Sequence, residues 1–330
     1  MKCAVLGAGA WGAALADRLA RNGHEVRVWA YEPDVVESIN SVHENRFLAG
    51  VTLSPSIVAG TDMKQIVADA QYVVLVAPSH VTRSVAEAAQ PHLPRDATIV
   101  VASKGIEQHS LARMSQIATD VFGAQPVVAL SGPTFAAEVA RNQATAIVAA
   151  CGDPGAARRV QQLFHGPSFR VYTQPDMIGV EVGGAVKNVM AVATGIAEGL
   201  ELGFNARAAL ITRGLAEMTR LGVALGADAA TFAGLAGMGD LVLTCTGHLS
   251  RNRAVGVEIG RGKTLDEALS GRETVAEGVI TTRSVKELAE RTGVGMPIVD
   301  AAFAVLFDGQ PARAAIAELM NRDPRPERDE

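Results

Sequence analysis

From the N-terminus to about residue 175, short runs of aliphatic and β-branched residues alternate with segments of helical period. The runs at Cys3-Ala4-Val5-Leu6, 25–29, 72–77, 98–102, 127–130 and 144–149 are mostly close to continuous in apolarity, as strands covered on both faces should be. A further strand is predicted at 169–172. Helices between such strands imply an open, mostly parallel sheet. After Gln174-Pro175-Asp176 the pattern changes to helical periodicity punctuated by glycine, with no convincing strand. Helices are predicted from an Asp176 cap to about Glu201, then at 205–225, 255–261, 264–270, 281–292 and 298–307. The tail beyond about residue 321, charged and carrying two prolines, reads as frayed. The class is therefore α/β: a Rossmann-type, mostly parallel sheet in residues 1–176, then an all-helical domain in 177–330.

The first strand breaks into Gly7-Ala8-Gly9-Ala10-Trp11-Gly12 and then into a helical stretch at 13–22. Strand, glycine turn and helix stand in the order a dinucleotide site requires: Gly7 permits the turn, Gly9 admits a pyrophosphate, and Gly12 lets the helix lie against the strand. The following strand ends at Trp29, and Glu32 stands 20 residues past Gly12, where an acid that binds a ribose hydroxyl belongs. Ligands of such sheets sit beyond the carboxyl ends of the strands, which points to Pro78-Ser79-His80, Ser103-Lys104-Gly105 and Ser131-Gly132-Pro133-Thr134.

Composition narrows the class. The 330 residues are 48% hydrophobic but only 4% aromatic, so the core is built from Ala, Val, Leu and Ile. A formal charge of -5 supplies no field for nucleic acid, and basic residues must act locally. The three widely spaced cysteines, 3, 151 and 245, form neither a disulfide framework nor a zinc motif and fit free thiols in a reducing cytoplasm. No secretory leader pattern is present, and no apolar run reaches the length of a membrane span.

In the second half Lys187 lies in the uncharged stretch Val182-Gly183-Gly184-Ala185-Val186. A buried ammonium must be paired or pushed toward neutrality, and a neutral amine is a general base. The alternative is that the stem packs on the helix while the amine reaches solvent. Asp240, in Gly237-Met238-Gly239-Asp240-Leu241, and Ser250-Arg251-Asn252 sit in polar or glycine-bearing breaks. With Lys104 they are read as an anion pocket, Arg251 supplying a bidentate fork for phosphate. Taken singly, each is more often a helix cap or a surface ion pair.

These segments, with His43-Glu44-Asn45, Val101 to Glu107, Leu130 to Ala136, Gly179 to Asn188, Ala209-Leu210-Ile211-Thr212-Arg213-Gly214, Cys245-Thr246 and Val275-Ala276-Glu277-Gly278, occur in an order that resembles the bacterial glycerol-3-phosphate dehydrogenase family almost throughout. The resemblance implies reversible reduction of dihydroxyacetone phosphate to sn-glycerol 3-phosphate by NAD(P)H, which feeds glycerophospholipid synthesis, and a homodimer formed through the helical domain. It implies Lys187 as proton acceptor, and Lys104, Gly132, Thr134, Asp240, Ser250, Arg251 and Asn252 as substrate contacts. Ala10, Trp11, Lys104, Ala136, Arg251, Val275 and Glu277 match cofactor positions, beside Gly7, Gly9, Gly12, Tyr31 and Glu32 of the dinucleotide reading. Two positions depart from the family pattern. Ala10 stands where serine is frequent, and Tyr31-Glu32 where many members carry a base suited to the 2′-phosphate of NADPH. A carboxylate there favours NAD over NADP. Rival readings are a related hydroxyacid dehydrogenase, which would need a carboxylate site, and a non-catalytic NAD(H) sensor, in which Lys187 would be dispensable. No metal is expected, since the histidines and cysteines lack ligand spacing.

Overall fold

The computed structural model describes residues 1–271, 276–324, 326 and 327. Eight strands form one sheet: β1 (Lys2–Leu6), β2 (Glu25–Trp29), β3 (Val58–Gly60), β4 (Tyr72–Leu75), β5 (Thr98–Val101), β6 (Val127–Ser131), β7 (Thr145–Ala150) and β8 (Phe169–Gln174). Their order is β3-β2-β1-β4-β5-β6-β7-β8, parallel throughout except for the β6–β7 pair. The chain reverses outward from β1 in both directions, so the crevice past β1 and β4 is the switch point where a ligand belongs. Register is continuous there: Val5 faces Val28 on one side and Val74 on the other.

Both faces of the sheet are covered, which is why its central strands are unbroken in apolarity. Val5, Val74, Val100 and Val128 pack on one side with Leu15 and Leu19 of the Ala10–Arg21 helix; Leu6, Leu75, Ile99 and Val101 pack on the other with Ile117 and Val85. β3 is absent from the sequence reading, because three residues ending in glycine give no periodicity.

Past Gln174 the described chain is helical, and its organising element is the helix Met177–Gly199, capped by Asp176, whose carboxylate accepts from the Gly179 amide at 2.9 Å. Its length of 23 residues and mean hydropathy of 1.2 do reach those of a membrane span, contrary to expectation. Most of that stretch (78%) is nevertheless buried by neighbouring helices, as in a core helix. The helices Gly203–Ala224, Arg251–Gly260 and Glu277–Thr292 surround it. Against Arg251–Gly260 the contact is backbone to backbone: a Cβ on Gly195 would lie 2.2 Å from the Arg253 carbonyl oxygen, and one on Gly256 the same distance from that of Val192.

Two glutamates help to join the layers. Glu181 accepts from the Arg113 guanidinium (2.6 Å), the Ser115 amide (2.6 Å) and the Ser115 hydroxyl (2.5 Å). Glu277 accepts from the Ser79 amide (3.1 Å) and hydroxyl (2.6 Å). The three cysteines are free and buried.

Candidate active site

The glycine turn has the shape a diphosphate needs. Gly7 takes φ +126, and its amide donates to the Trp29 carbonyl at 3.1 Å. A Cβ on Gly12 would stand 1.9 Å from the Gly7 carbonyl oxygen, so only glycine lets the helix begin against the strand. The Ala13 amide is bonded to the Gly9 carbonyl, whereas the earlier helical amides, those of Ala10, Trp11 and Gly12, have no carbonyl a turn back to accept them. Such a helix start draws anions. A Cβ on Gly9 would meet nothing within 4 Å, and the buried Trp11 Nε1 has no hydrogen-bond partner. Open space, free amides and an orphaned donor fit a dinucleotide; the hydroxyl that Ala10 lacks is not needed for these backbone donors.

Glu32 lies past the end of β2 as the extended residue before the helix Pro33–Val42, and Tyr31 beside it is 80% exposed. Ala136 opens the short helix Ala136–Ala140. Val275 lies outside the described residues. Glu277 opens its helix and holds the Ser79 loop at the end of β4; burial raises its carboxyl pKa against the opposing Ser79 bonds.

Across the crevice the lysines converge on one carboxylate. Lys187 is 7% exposed, and its Nζ donates to Asp240 Oδ1 (2.6 Å) and Thr244 Oγ1 (2.9 Å). Lys104 donates to Asp240 Oδ2 (2.7 Å) and to the Gly132 carbonyl (3.1 Å). Asp240 thus bridges a lysine from the loop after β5 to one from the helical layer. The amine of Lys187 does not snorkel to solvent. Desolvation lowers its pKa to about 8, with Asp240 opposing and Lys104 assisting. Asp240 goes below the usual carboxylate range: burial alone would raise it, but the two lysines outweigh burial.

Thr134 lies beside this group, its hydroxyl donating to the Gly132 carbonyl at 3.1 Å. Asn252 donates to Asn188 Oδ1 (3.0 Å) and accepts from the Gly278 amide (2.9 Å), tying the residue after Lys187 to the residue after Glu277. Ser250 acts as a cap, accepting from the Arg253 amide at 3.3 Å. Arg251, in the first turn of its helix, has an exposed side chain crowded enough by protein to lower its pKa, while the charge of Glu277 works against that. Sequence reasoning missed Thr244, one turn past Asp240, and Ser79 as the partner of Glu277. The first reads as ordinary helix; the second pairing spans 198 residues.

A glycine turn at the switch point of a mostly parallel sheet, together with a buried lysine whose pKa falls to about 8, has the make-up of a dinucleotide-dependent dehydrogenase. Residues 2–157 match the N-terminal model of the NAD-dependent glycerol-3-phosphate dehydrogenases, and residues 176–317 the C-terminal one. The chain belongs to the NAD-dependent glycerol-3-phosphate dehydrogenase family. It is 52% identical over 326 residues to a glycerol-3-phosphate dehydrogenase [NAD(P)+] from Geobacter sp. (strain M21), covering 98% of this chain and 97% of that one. It is 51% identical to the enzyme of the same name from Syntrophotalea carbinolica over the whole of both chains. The crystal structure of glycerol-3-phosphate dehydrogenase from Coxiella burnetii superposes with a TM-score of 0.94 at 39% identity, covering 97% of this chain and 98% of that one.

Proposed function

We propose that the protein interconverts dihydroxyacetone phosphate and sn-glycerol 3-phosphate with a nicotinamide dinucleotide, and that Lys187 carries the proton. The observation behind this is the bridge Lys104–Asp240–Lys187, which puts an anchoring cation and a tunable amine on one carboxylate. The glycine turn would hold the dinucleotide, whose nicotinamide would supply or accept the hydride. Lys187 takes the proton of the C2 hydroxyl in the oxidative direction and returns it to the new alkoxide in the reductive one. Asp240 and Thr244 aim the amine. Lys104, Arg251, Ser250, Asn252, Thr134 and the Gly132 backbone are assigned to the phosphate and hydroxyls of the substrate. Trp11, Ala10, Ala136, Glu277 and Val275 are assigned to the cofactor. A hydroxyacid would find two lysines here already neutralised in part by Asp240, and a sensor would not need a lysine buried beside a carboxylate. Oxidation of NADH with dihydroxyacetone phosphate, repeated with unphosphorylated dihydroxyacetone, tests the reading: turnover should require the phosphate, and equal turnover of both ketones would sink it.

Glu32 assigns the enzyme to NAD in preference to NADP, since its carboxylate accepts from a ribose hydroxyl and repels a 2′-phosphate. The expected result is a higher kcat/KM for NADH than for NADPH, narrowed or reversed in Glu32→Arg. A wild-type preference for NADPH would refute the assignment. A cytoplasmic location accords with the three free thiols. Leu202, in the turn after the helix Met177–Gly199, and Phe204, in the first turn of Gly203–Ala224, are exposed, the latter to 81%, which supports a homodimer through the helical layer. Light scattering reads its mass directly.

A further inference from the structure

His43-Glu44-Asn45 lies far from the crevice residues in sequence, and nothing above gives it a task. In the structure Asn45 is 2% exposed, and its Nδ2 donates to the Ala8 carbonyl at 2.7 Å, inside the glycine turn. Its Oδ1 accepts from the Phe47 amide at 2.9 Å. From these two bonds we infer that Asn45 is the positioning residue of the pyrophosphate cradle, setting the direction of the Gly9 amide.

The argument is geometric. A trans peptide places its carbonyl oxygen and its amide hydrogen on opposite sides of one rigid plane. Holding the Ala8 oxygen inward on Asn45 therefore turns the Gly9 N–H outward, where Gly9 is exposed and a Cβ would meet no atom within 4 Å. That is the side on which the unbonded amides of Ala10 and Trp11 begin the helix. Without the bond the Ala8–Gly9 plane could turn its negative oxygen toward a diphosphate, because Gly9, at one of its two pivots, resists rotation least.

Asn45 is itself held. His43 takes the left-handed conformation (φ 58), and its Nδ1 lies 3.1 Å from the Ile39 carbonyl. The Ser38 hydroxyl donates to the Glu44 carbonyl (2.9 Å), and the Leu53 amide donates to the His43 carbonyl (2.8 Å). Farther on, the Ser54 amide donates to Asp17 at 2.8 Å, so the segment is pinned to the turn at one end and to the helix behind it at the other. The side-chain amide of Asn45 supplies both the donor to Ala8 and the acceptor for Phe47. Aspartate keeps the second bond and replaces the first with a repulsion.

This inference rests on the dinucleotide reading, and the experiment separates the two. ADP-ribose, which carries the diphosphate but no nicotinamide, is titrated calorimetrically into the full chain and into Asn45→Ala and Asn45→Asp. Both variants should bind it about tenfold more weakly, with kcat at saturating NADH and KM for dihydroxyacetone phosphate unchanged. Wild-type affinity in Asn45→Ala overturns the inference, whatever Asn45→Asp does, since the aspartate also adds charge. A loss of affinity matched by an equal loss of kcat overturns it too, as a general structural defect. Failure of the unmodified chain to bind ADP-ribose would instead remove the dinucleotide reading. Should the variants not fold, the unmodified protein gives a second readout. The Asn45 side-chain amide resonances should exchange slowly and shift with ADP-ribose, and rapid exchange in its presence overturns the proposal.

Discussion

Lys187 works between two opposed pressures: burial strips its proton, and Asp240 restores it. With a pKa of about 8, and with Lys187 as the proposed base, kcat/KM for glycerol 3-phosphate oxidation should rise as pH passes through that value, since only the neutral amine can take the proton. The reductive direction should fall over the same range. Asp240→Asn removes the charge that raises the pKa, so its oxidative limb should move to lower pH; an unmoved limb would show that another group titrates. Lys187→Ala should lose about a thousandfold in kcat while cofactor affinity is kept, and near-normal turnover would remove the residue from the mechanism. Lys187 was legible because a lone charge in an apolar helix needs an explanation. Asp240 was legible as a carboxylate in a glycine break, but its role as a bridge was not, because Lys104 lies 136 residues away. Glu217 was not legible at all. It is a buried carboxylate that accepts from the Ile298 amide across 81 residues, and along its own helix it looks like any surface glutamate.

At the scale of elements, the seam between the helices Met177–Gly199 and Arg251–Gly260 sets how far Asn252 stands from Asn188. Gly256→Ala puts a methyl group 2.2 Å from the Val192 carbonyl oxygen, so the helices must part. A stability loss of about 2 kcal/mol is expected from overpacking. KM for dihydroxyacetone phosphate should rise with it, because Asn252 moves with its helix. Calorimetry and steady-state kinetics check the two effects together, and a variant with native melting and native KM would show the seam to be slack. Strands buried on both faces were readable from their unbroken apolarity, and β2 stands at its expected bounds. The helix Asp240–Thr246 was not readable, because Gly234, Gly237 and Gly239 ahead of it look like loop residues. In the structure they form a wide helical turn in which a Cβ on Gly237 would lie 2.2 Å from the Phe232 carbonyl oxygen. The helix opening at Glu277 was expected four residues later, its first turn being masked by Gly278.

Over the whole molecule, the Glu181 and Glu277 ties join the sheet layer to the helical layer, beside the Lys104–Asp240 pair. Breaking a buried pair from one side leaves the other charge unpaired. Glu181→Ala, which strands the Arg113 guanidinium, should therefore cost about 3 kcal/mol in denaturant unfolding. An unchanged midpoint would mean that the Glu181 tie adds nothing to the stability of the joined layers. The two-layer plan was visible in the sequence as the end of strand patterning near residue 175, but the ties were not, since each joins residues remote in the chain. The bridge at Asp240 carries a consequence of another kind. The lysine assigned to anchor the substrate and the lysine assigned to move its proton are encoded in opposite halves of the gene and meet only through one carboxylate. A gene broken between them would yield two polypeptides, neither inheriting a partial reaction, and any catalysis on mixing the fragments would report their reassembly.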